Sequence, residues 1–296
     1  MVTRSSSLPS WRTWFACAML ALALAGCSWL PNQKDETAGW SADQLYRAAH
    51  DAMLDGNYTR ATKLFETLEA RFPYGRYAQQ AILETAYANW RGYEPAAAVA
   101  ACDRFIRTYP NHPNVDYAYY LKGLVHFRED QGILGYVYEL DLSERDPKEM
   151  TSAFSAFKDL TTRFPDSKYY EDSVQRMRYL SNALGTYQVK VALYYYNRGA
   201  YIAAANRAQL ALLANPQTPA NEQALEVMRN SYEKLGLPQL AQDSQQILAK
   251  TFPDSPYLTT SADVPWWKFW SRVQRADFGV KPTGELAVKP WWQFWD

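Results

Sequence analysis

Apolar residues recur along this chain at the three- and four-residue spacing of amphipathic helices, and prolines interrupt the pattern at related points. The most regular feature is an alanine followed twelve positions later by a proline, which occurs five times. The five pairs are Ala61/Pro73, Ala98/Pro110, Ala153/Pro165, Ala204/Pro216 and Ala241/Pro253. Five positions before each proline stands an apolar residue: Leu68, Phe105, Leu160, Ala211 and Leu248. Self-similarity of this kind predicts an all-α solenoid of five helix pairs.

The first unit shows how the pattern divides into two helices. Ser41 is placed to cap the first helix, and Gly56 breaks that helix. The second helix begins at Tyr58 and stops before Pro73, because proline lacks an N–H and restricts its predecessor. A small residue in the turn, an alanine at the helix crossing and a terminal proline resemble the tetratricopeptide repeat. Residues 41–258 are therefore predicted to form a five-repeat tetratricopeptide solenoid.

The repeats are not evenly spaced, since the intervals between their prolines are 37, 55, 51 and 37 residues. Turn residues between 129 and 146 predict an insertion between the helices of the third unit. Residues 167–197 contain no glycine or proline except Gly185, which predicts an extended first helix in the fourth unit. The turn glycines stand seventeen residues before the proline in three units and eighteen in one: Gly56, Gly199, Gly236 and Gly92.

The N-terminal segment has the features of an export signal. Arg4 and Arg12 precede an apolar run, residues 14–24, that is too short to span a bilayer as a stable helix. The run ends in Leu-Ala-Gly followed by Cys27, which resembles the bacterial lipobox, where the cysteine thiol receives diacylglycerol. Residues 1–26 are predicted to be a lipoprotein signal peptide and residues 27–40 a lipidated tether. An ordinary signal peptide with a chance cysteine is the alternative.

The charge balance argues against nucleic acid as a partner. The chain has 31 basic and 31 acidic residues, and loss of Arg4 and Arg12 with the signal leaves a net charge near −2. Nucleic-acid binding leaves a basic footprint that this chain lacks.

A search for catalytic chemistry finds no phosphate loop, no His-Glu-x-x-His, no Cys-x-x-Cys and no Gly-x-Ser-x-Gly. The three histidines fall in separate repeats, and Cys102 is expected to be a small buried helix residue. We predict no enzyme activity, no catalytic residues, no metal site and no cofactor, apart from the covalent diacylglycerol and N-acyl lipid at Cys27.

The chain changes character after Leu258. Residues 259–296 are predicted to be an irregular tail, yet they contain two copies of Pro-Trp-Trp-x-Phe-Trp at an interval of 25 residues. Three alternatives remain open for the tail: packing back onto the solenoid, insertion at a membrane interface, or docking in a partner's groove. The candidate docking residues are Trp266, Trp267, Trp270, Trp291, Trp292 and Trp295.

Tyrosines are unusually frequent in the predicted helices, and about half of them are expected to face out of the core. On a solenoid, the first helices line a concave surface where tyrosine offers area, a hydroxyl and little entropy loss to an extended peptide. The alternative for any one tyrosine is that it fills a gap between adjacent repeats.

Several segments resemble one family in particular: Phe72 to Gln80, Asp103 to Arg107, His112 to Tyr117, and Arg198 to Tyr201 followed by Asn206-Arg207. With the lipobox, the tether, the five repeats and the insertion, they are similar to the BamD family of outer-membrane assembly lipoproteins. The similarity covers roughly residues 25–256. The Trp-rich tail departs from the family pattern.

The resemblance implies a non-catalytic scaffold on the periplasmic face of the outer membrane, and Ser28 after the lipidated cysteine favours that membrane. Implied partners are the POTRA region of a BamA-like insertase, companion Bam lipoproteins and the targeting strands of unfolded outer-membrane proteins. Arg207 matches a position implicated in coupling to the insertase. Tyr74, Tyr77 and Tyr117 fall in the N-terminal repeats that are implicated in strand recognition. The alternative is a periplasmic repeat lipoprotein that scaffolds cell-wall hydrolases or envelope constriction.

Overall fold

The computed structural model describes residues 35–127, 146–214, 218–255 and 257–258. Within those ranges the chain is helical and has no strand. Ten helices follow one another there: α1 (Ala42–Leu54), α2 (Tyr58–Arg71), α3 (Arg76–Arg91), α4 (Pro95–Thr108), α5 (Val115–Phe127), α6 (Pro147–Arg163), α7 (Tyr170–Asn197), α8 (Tyr201–Ala214), α9 (Ala220–Lys234) and α10 (Pro238–Thr251).

The helices pack in the order in which they occur in the chain. Each contacts its neighbours, and the successive pairs from α1/α2 to α9/α10 correspond to the five predicted units. First helices of successive units also touch, since α1 contacts α3, α3 contacts α5, and α7 contacts α9. Packing of successive units against one another is the arrangement of a repeat solenoid. The predicted fold class is confirmed.

The recurring alanines lie where the helices meet. Ala61, Ala98, Ala153 and Ala204 are fully buried, and Ala241 is 5% exposed. The five residues that stand five positions before the prolines are all fully buried. A methyl side chain lets two helix axes approach closely, and in four of the five units a larger residue two turns later fills the space around it. The sequence spacing therefore marks the core of every repeat.

Four of the second helices end in one shared geometry at the aromatic residue before the proline. There φ lies between −127° and −131° and ψ between 60° and 73°, outside the helical region that a following proline disfavours. Each aromatic N–H still donates to the carbonyl four residues back, at 2.8 Å. The four residues are Phe72, Tyr109, Phe164 and Phe252.

The turn inside each of four units needs one residue with positive φ. Gly56, Gly199 and Gly236 supply it, with φ of 76°, 77° and 71°. In the second unit Gly92 has φ of −79°, and Tyr93 takes the positive value, 65°. In all four turns the N–H that follows the positive-φ residue donates to the carbonyl five residues back. The turn of the second unit thus has the same geometry as the other three, but its glycine stands one residue earlier than in those turns.

The extended first helix of the fourth unit is confirmed, because α7 is 28 residues long. Its Gly185 lies against the start of α9, where an added Cβ would come within 2.8 Å of Thr218 Oγ1 and 3.5 Å of Ala220 Cβ. A larger residue at Gly185 would push α7 away from α9. The contact explains how the long helix reaches the first helix of the next unit.

The third unit has an aromatic core. The ring of Phe157 on α6 covers Gly123 on α5, and it lies 6.1 Å from the Tyr120 ring and 6.3 Å from the Phe127 ring. The Tyr120 ring stacks on Tyr169 with centroids 4.6 Å apart. Large rings on α6 therefore require the smallest residue on α5.

The described part of the chain that precedes α1, residues 35–41, is a separate turn in which Thr37 donates its N–H and hydroxyl to Asp35 Oδ1. The signal peptide, Cys27, the insertion in the third unit and the Trp-rich tail lie outside the described residues. Among the helices that are described, none is both long enough and apolar enough to cross a bilayer.

Candidate partner-binding surfaces

Tyr46 on α1 and Tyr77 on α3 form the centre of an aromatic surface, with ring centroids 5.4 Å apart. The Tyr77 hydroxyl donates to Asp43 Oδ1 at 3.1 Å, and the Arg76 guanidinium lies 5.0 Å from the Tyr77 ring centroid. Asp43 also forms an ion pair with Arg47 at 2.6 Å. Rings, guanidinium donors and a carboxylate on two first helices are the chemistry that holds an extended peptide. We call these five residues the first-helix surface.

A buried carboxyl group lies beneath the first-helix surface. The Tyr46 hydroxyl donates to Oε1 of Glu84, which is fully buried on α3, and Oε2 of that residue has no hydrogen-bond partner. Burial raises the pKa of Glu84 to about 8, although the hydrogen bond from Tyr46 opposes the change. The pKa of Tyr46 is also raised, first by burial and then by Glu84. Glu84 is therefore mainly protonated at neutral pH.

Glu84 is not among the candidate residues predicted from the sequence. It stands in a run of eight buried residues, 81–88, in which it is the only carboxylic acid. A carboxylate inside an apolar stretch of a helix was the signal that could have identified it.

Two of the three tyrosines predicted to bind a strand are accessible. Tyr74 is 92% exposed in the loop before α3, next to Gly75, whose φ is 101°. Tyr77 follows three residues later and is half-buried. The two side chains extend the first-helix surface from α3 into the loop.

Tyr117 is placed differently and requires a correction. It is fully buried on α5, with its ring 5.6 Å from that of Tyr169, and burial raises its pKa well above the ordinary value. A strand lying on the surface of the repeats cannot contact a side chain with no exposed area. The alternative from the sequence, packing between adjacent repeats, applies to Tyr117. Spacing alone did not distinguish it from the accessible tyrosines.

Arg207 lies 130 residues beyond Tyr77 in the chain, on the second helix of the fourth unit. It is half-buried on α8, and its Nη1 donates to Gln188 Oε1 on α7 at 3.4 Å. This long hydrogen bond uses one of the five N–H donors of the guanidinium. The third repeat thus lies between Arg207, in the fourth unit, and the accessible Tyr77, in the second unit.

A charged pair on α7, in the fourth unit, was also missed. Arg176, 1% exposed on α7, donates from Nε to Asp172 Oδ2 at 2.6 Å. Asp172 accepts a second hydrogen bond from the Tyr120 hydroxyl at 2.7 Å, and the guanidinium lies 4.9 Å from the Phe127 ring centroid. The signal in the sequence was an Asp and an Arg four residues apart on a helix that packs against tyrosines. The pair ties α5 to α7.

The cysteine and histidines considered as possible reactive or metal-binding residues are held by packing or by a salt bridge. Cys102 is fully buried, as predicted, and burial raises the pKa of its thiol. His126 Nδ1 lies 2.8 Å from Glu149 Oε2, and the His112 ring packs edge-on against Phe105. Over the described ranges, no three His, Cys, Asp or Glu residues form a group that could hold a metal ion.

Comparison with known proteins identifies the family. A family model described as "YfiO: Outer membrane lipoprotein" matches residues 39–248, which run from just before α1 into α10. The outer membrane protein assembly factor BamD of Neisseria meningitidis serogroup A, strain Z2491, is 47% identical over 257 residues, covering 85% of this chain and 96% of the relative. The chain belongs to the BamD family.

Other BamD relatives support the same assignment across the repeats. The BamD of Xylella fastidiosa, strain Temecula1, is 38% identical over 237 residues and covers 80% of each chain. The BamD of Vibrio cholerae El Tor, strain N16961, is 35% identical over 231 residues, covering 78% of this chain and 95% of the relative. The resemblance from the sequence is confirmed. Tyr74, Tyr77 and Arg207 lie within the range matched by the family model, whereas Cys27 and the two tryptophan motifs lie outside that range.

Proposed function

We propose that this chain is a lipid-anchored scaffold for the assembly of β-barrel proteins into the outer membrane, acting from the periplasmic face. The observation that carries the proposal is 47% identity across nearly the full length of an outer membrane protein assembly factor, BamD. Identity at that level over 96% of the relative supports a shared role. The chain acts by binding, and no step of the proposed role needs a catalytic group or a cofactor.

In this proposal the first-helix surface, with Tyr74, receives the C-terminal targeting strand of an unfolded outer-membrane protein. Such strands are extended and carry aromatic side chains. The supporting geometry is the pair of rings 5.4 Å apart, flanked by Arg76 and Arg47. Aromatic stacking supplies contact area, and the guanidinium groups attract backbone carbonyls and a terminal carboxylate.

The C-terminal repeats hold the insertase. Arg207 presents a partly free guanidinium on α8 and contacts a POTRA region of a BamA-like protein, alongside companion Bam lipoproteins. Cys27 carries the diacylglycerol and N-acyl chains that keep the scaffold at the outer membrane, since more than one acyl chain is needed for stable anchoring. One face of the solenoid thus takes the substrate while another is fixed to the machinery that inserts it.

The test is affinity purification of the full chain from envelopes of its own organism, after mild detergent extraction. We expect a barrel insertase to co-purify with the wild-type chain. In Arg207→Ala we expect recovery of the insertase to fall at least fivefold, whereas Arg107→Ala, an exposed arginine on α4, leaves it unchanged. Recovery of cell-wall hydrolases without an insertase would overturn the proposal in favour of a cell-wall scaffold.

Strand recognition is tested separately with a peptide that has the C-terminal sequence of an outer-membrane protein. The double variant Tyr74→Ala/Tyr77→Ala is expected to bind the peptide about tenfold more weakly, because it loses two aromatic contacts. Tyr93→Ala is the matched control, since Tyr93 is also an exposed tyrosine in a turn but lies between α3 and α4. If the double variant and the control bound the peptide with equal affinity, the proposal that the strand binds at the first-helix surface would be wrong.

A further inference from the structure

The outer face of the fourth and fifth repeats differs from the rest of the solenoid. Leu210 and Leu213 on α8 are 48% and 72% exposed, and Leu240 and Ile247 on α10 are 44% and 53% exposed. Ile202 and Leu237, at the starts of the same two helices, are also exposed. Among the described residues, α2, α4 and α6 carry no exposed large aliphatic or aromatic residue. We call these six residues the apolar face.

Spacing places these side chains in rows. Leu240 and Ile247 are seven residues apart, which is two helical turns, and Leu237 is three residues before Leu240. On α8, Leu210 and Leu213 are three residues apart in the same way. Each helix therefore exposes one continuous apolar ridge.

The same two helices are poor in charge. The sole charged residue on α8 is Arg207, and α10 has only Asp243 and Lys250. By contrast, α2 and α6 each contain five charged residues. Exposed apolar side chains combined with a shortage of charge distinguish an interaction surface from ordinary solvent-facing helix.

The chain leaves the solenoid next to the apolar face. Tyr257 is 7% exposed and forms a cluster with Leu225 and Leu248, against which Leu212 of α8 and Leu258 also pack. Its carbonyl accepts a hydrogen bond from Arg229 Nη1 at 3.2 Å. These contacts fix the start of the tail against α8, α9 and α10.

The tail contains side chains that fit an apolar face. Trp266 follows Tyr257 by nine residues, and a chain of that length spans up to about 30 Å. The α10 helix, at about 1.5 Å per residue, is roughly 21 Å long. The first tryptophan motif can therefore reach any point along α10, and the second, which begins at Pro290, can reach α8 as well. A tether this short gives an effective concentration in the millimolar range, which favours contact within one chain.

We propose that the two tail motifs, residues 265–270 and 290–295, pack onto the apolar face of α8 and α10 of the same chain. If each motif is helical after its proline, Trp266, Phe269 and Trp270 share one side and cover the exposed leucines. In this arrangement the tail covers the apolar surface of α8 and α10 and removes it from water.

Photo-crosslinking of the purified full chain tests the contact. p-Benzoylphenylalanine at position 247 is expected to give an adduct within one chain to the tryptic peptide that contains Trp266, at a yield independent of protein concentration. The same probe at Glu66, exposed on α2, is the matched control and gives no tail adduct. An adduct of twice the chain mass would show that a second copy of the chain covers the apolar face, which would overturn the proposal. No adduct in the purified chain, or one only with added phospholipid vesicles, would also overturn the proposal.

Proteolysis provides a second measurement that does not depend on the probe. Trypsin cleaves after Lys268 and Arg272, which docking protects. We expect Leu240→Glu/Ile247→Glu to speed these cleavages at least tenfold with unchanged helix content, while Leu54→Glu, an exposed leucine on α1, does not. Cleavage at the wild-type rate in the double variant would show that the tail does not rest on the apolar face.

Discussion

Gly123 on α5 is where the packing of the third repeat is most demanding, and replacing it by alanine tests the described core directly. A Cβ at this position would lie 2.5 Å from Phe157 Cε1 and 2.7 Å from both Cδ1 and Cζ. Carbon atoms pack comfortably at about 3.5–4.0 Å, so the ring would have to move by about 1 Å. The rings of Tyr120 and Phe127 flank Phe157, which is fully buried, so the ring could move only by displacing its neighbours.

Two opposing effects decide whether Gly123→Ala raises or lowers the free energy of unfolding. Glycine to alanine inside a helix stabilises by about 1 kcal/mol through propensity alone. Overpacking a well-filled core costs about 1–3 kcal/mol, and the contact here involves three ring atoms at once, which favours the upper end. We expect Gly123→Ala to lower the free energy of unfolding by about 2 kcal/mol.

The assay is urea unfolding of the full chain, followed by far-ultraviolet circular dichroism and by fluorescence. Ala100→Gly on the exposed side of α4 measures the propensity effect alone and should cost about 1 kcal/mol. Phe157→Leu removes the clash. The double variant Gly123→Ala/Phe157→Leu should therefore lose at least about 1 kcal/mol less stability than the sum of the losses in the two single variants. If the Gly123→Ala chain were as stable as the wild type, the predicted clash with the Phe157 ring would be wrong, because the gain in helix propensity would have offset its whole cost.

Two further predictions concern a buried carboxyl group and a strained turn. The folded pKa of Glu84, about 8, lies above the unfolded value of about 4.3, so its contribution to stability is complete below pH 4.3 and is lost as pH rises towards 8 and above. Between pH 6 and 8 the wild-type chain should therefore lose about 2 kcal/mol of stability that Glu84→Gln does not lose, as measured by urea unfolding. The control Glu66→Gln should lose stability as the wild type does. If the stability of Glu84→Gln depended on pH as that of the wild type does, the raised pKa of Glu84 would be contradicted. Gly56→Ala should cost about 1 kcal/mol because its φ is 76°, whereas Tyr93→Gly should cost nothing or stabilise, since Tyr93 has the same strained sign of φ. Thermal unfolding compares the two variants, and a loss above about 1 kcal/mol in Tyr93→Gly would show that its side chain, not its backbone, matters.

The repeat architecture could be predicted because its determinants are local. Pro73 and its counterparts stop helices by removing an N–H and restricting the preceding residue, and both effects act within two residues. Ala61 and Leu68 reveal the buried stripe because a helix places residues of that spacing on one face. The extended α7 could be predicted for the same reason, from the absence of helix breakers other than Gly185.

The candidate sites were predicted less completely. Tyr74, Tyr77 and Tyr117 looked equivalent in sequence, yet Tyr74 is almost fully exposed and Tyr117 is fully buried. Exposure depends on which helix of a later repeat covers each residue, and Tyr169, fifty-two positions away, decides the case of Tyr117. The buried states of Glu84 and Arg176 depend in the same way on α1 and α5.

The helices, their ends, their pairing into five units and the family of the chain could all be predicted from the amino-acid sequence. These follow from periodicity, proline stops and turn glycines, whose effects extend over a few residues. The folded structure was needed to show which tyrosines face solvent, why only glycine fits at position 123, that Tyr93 adopts the strained turn conformation and where the apolar face of α8 and α10 lies. Those properties arise from contacts between residues distant in the chain, and close packing makes each depend on the shapes of all its neighbours.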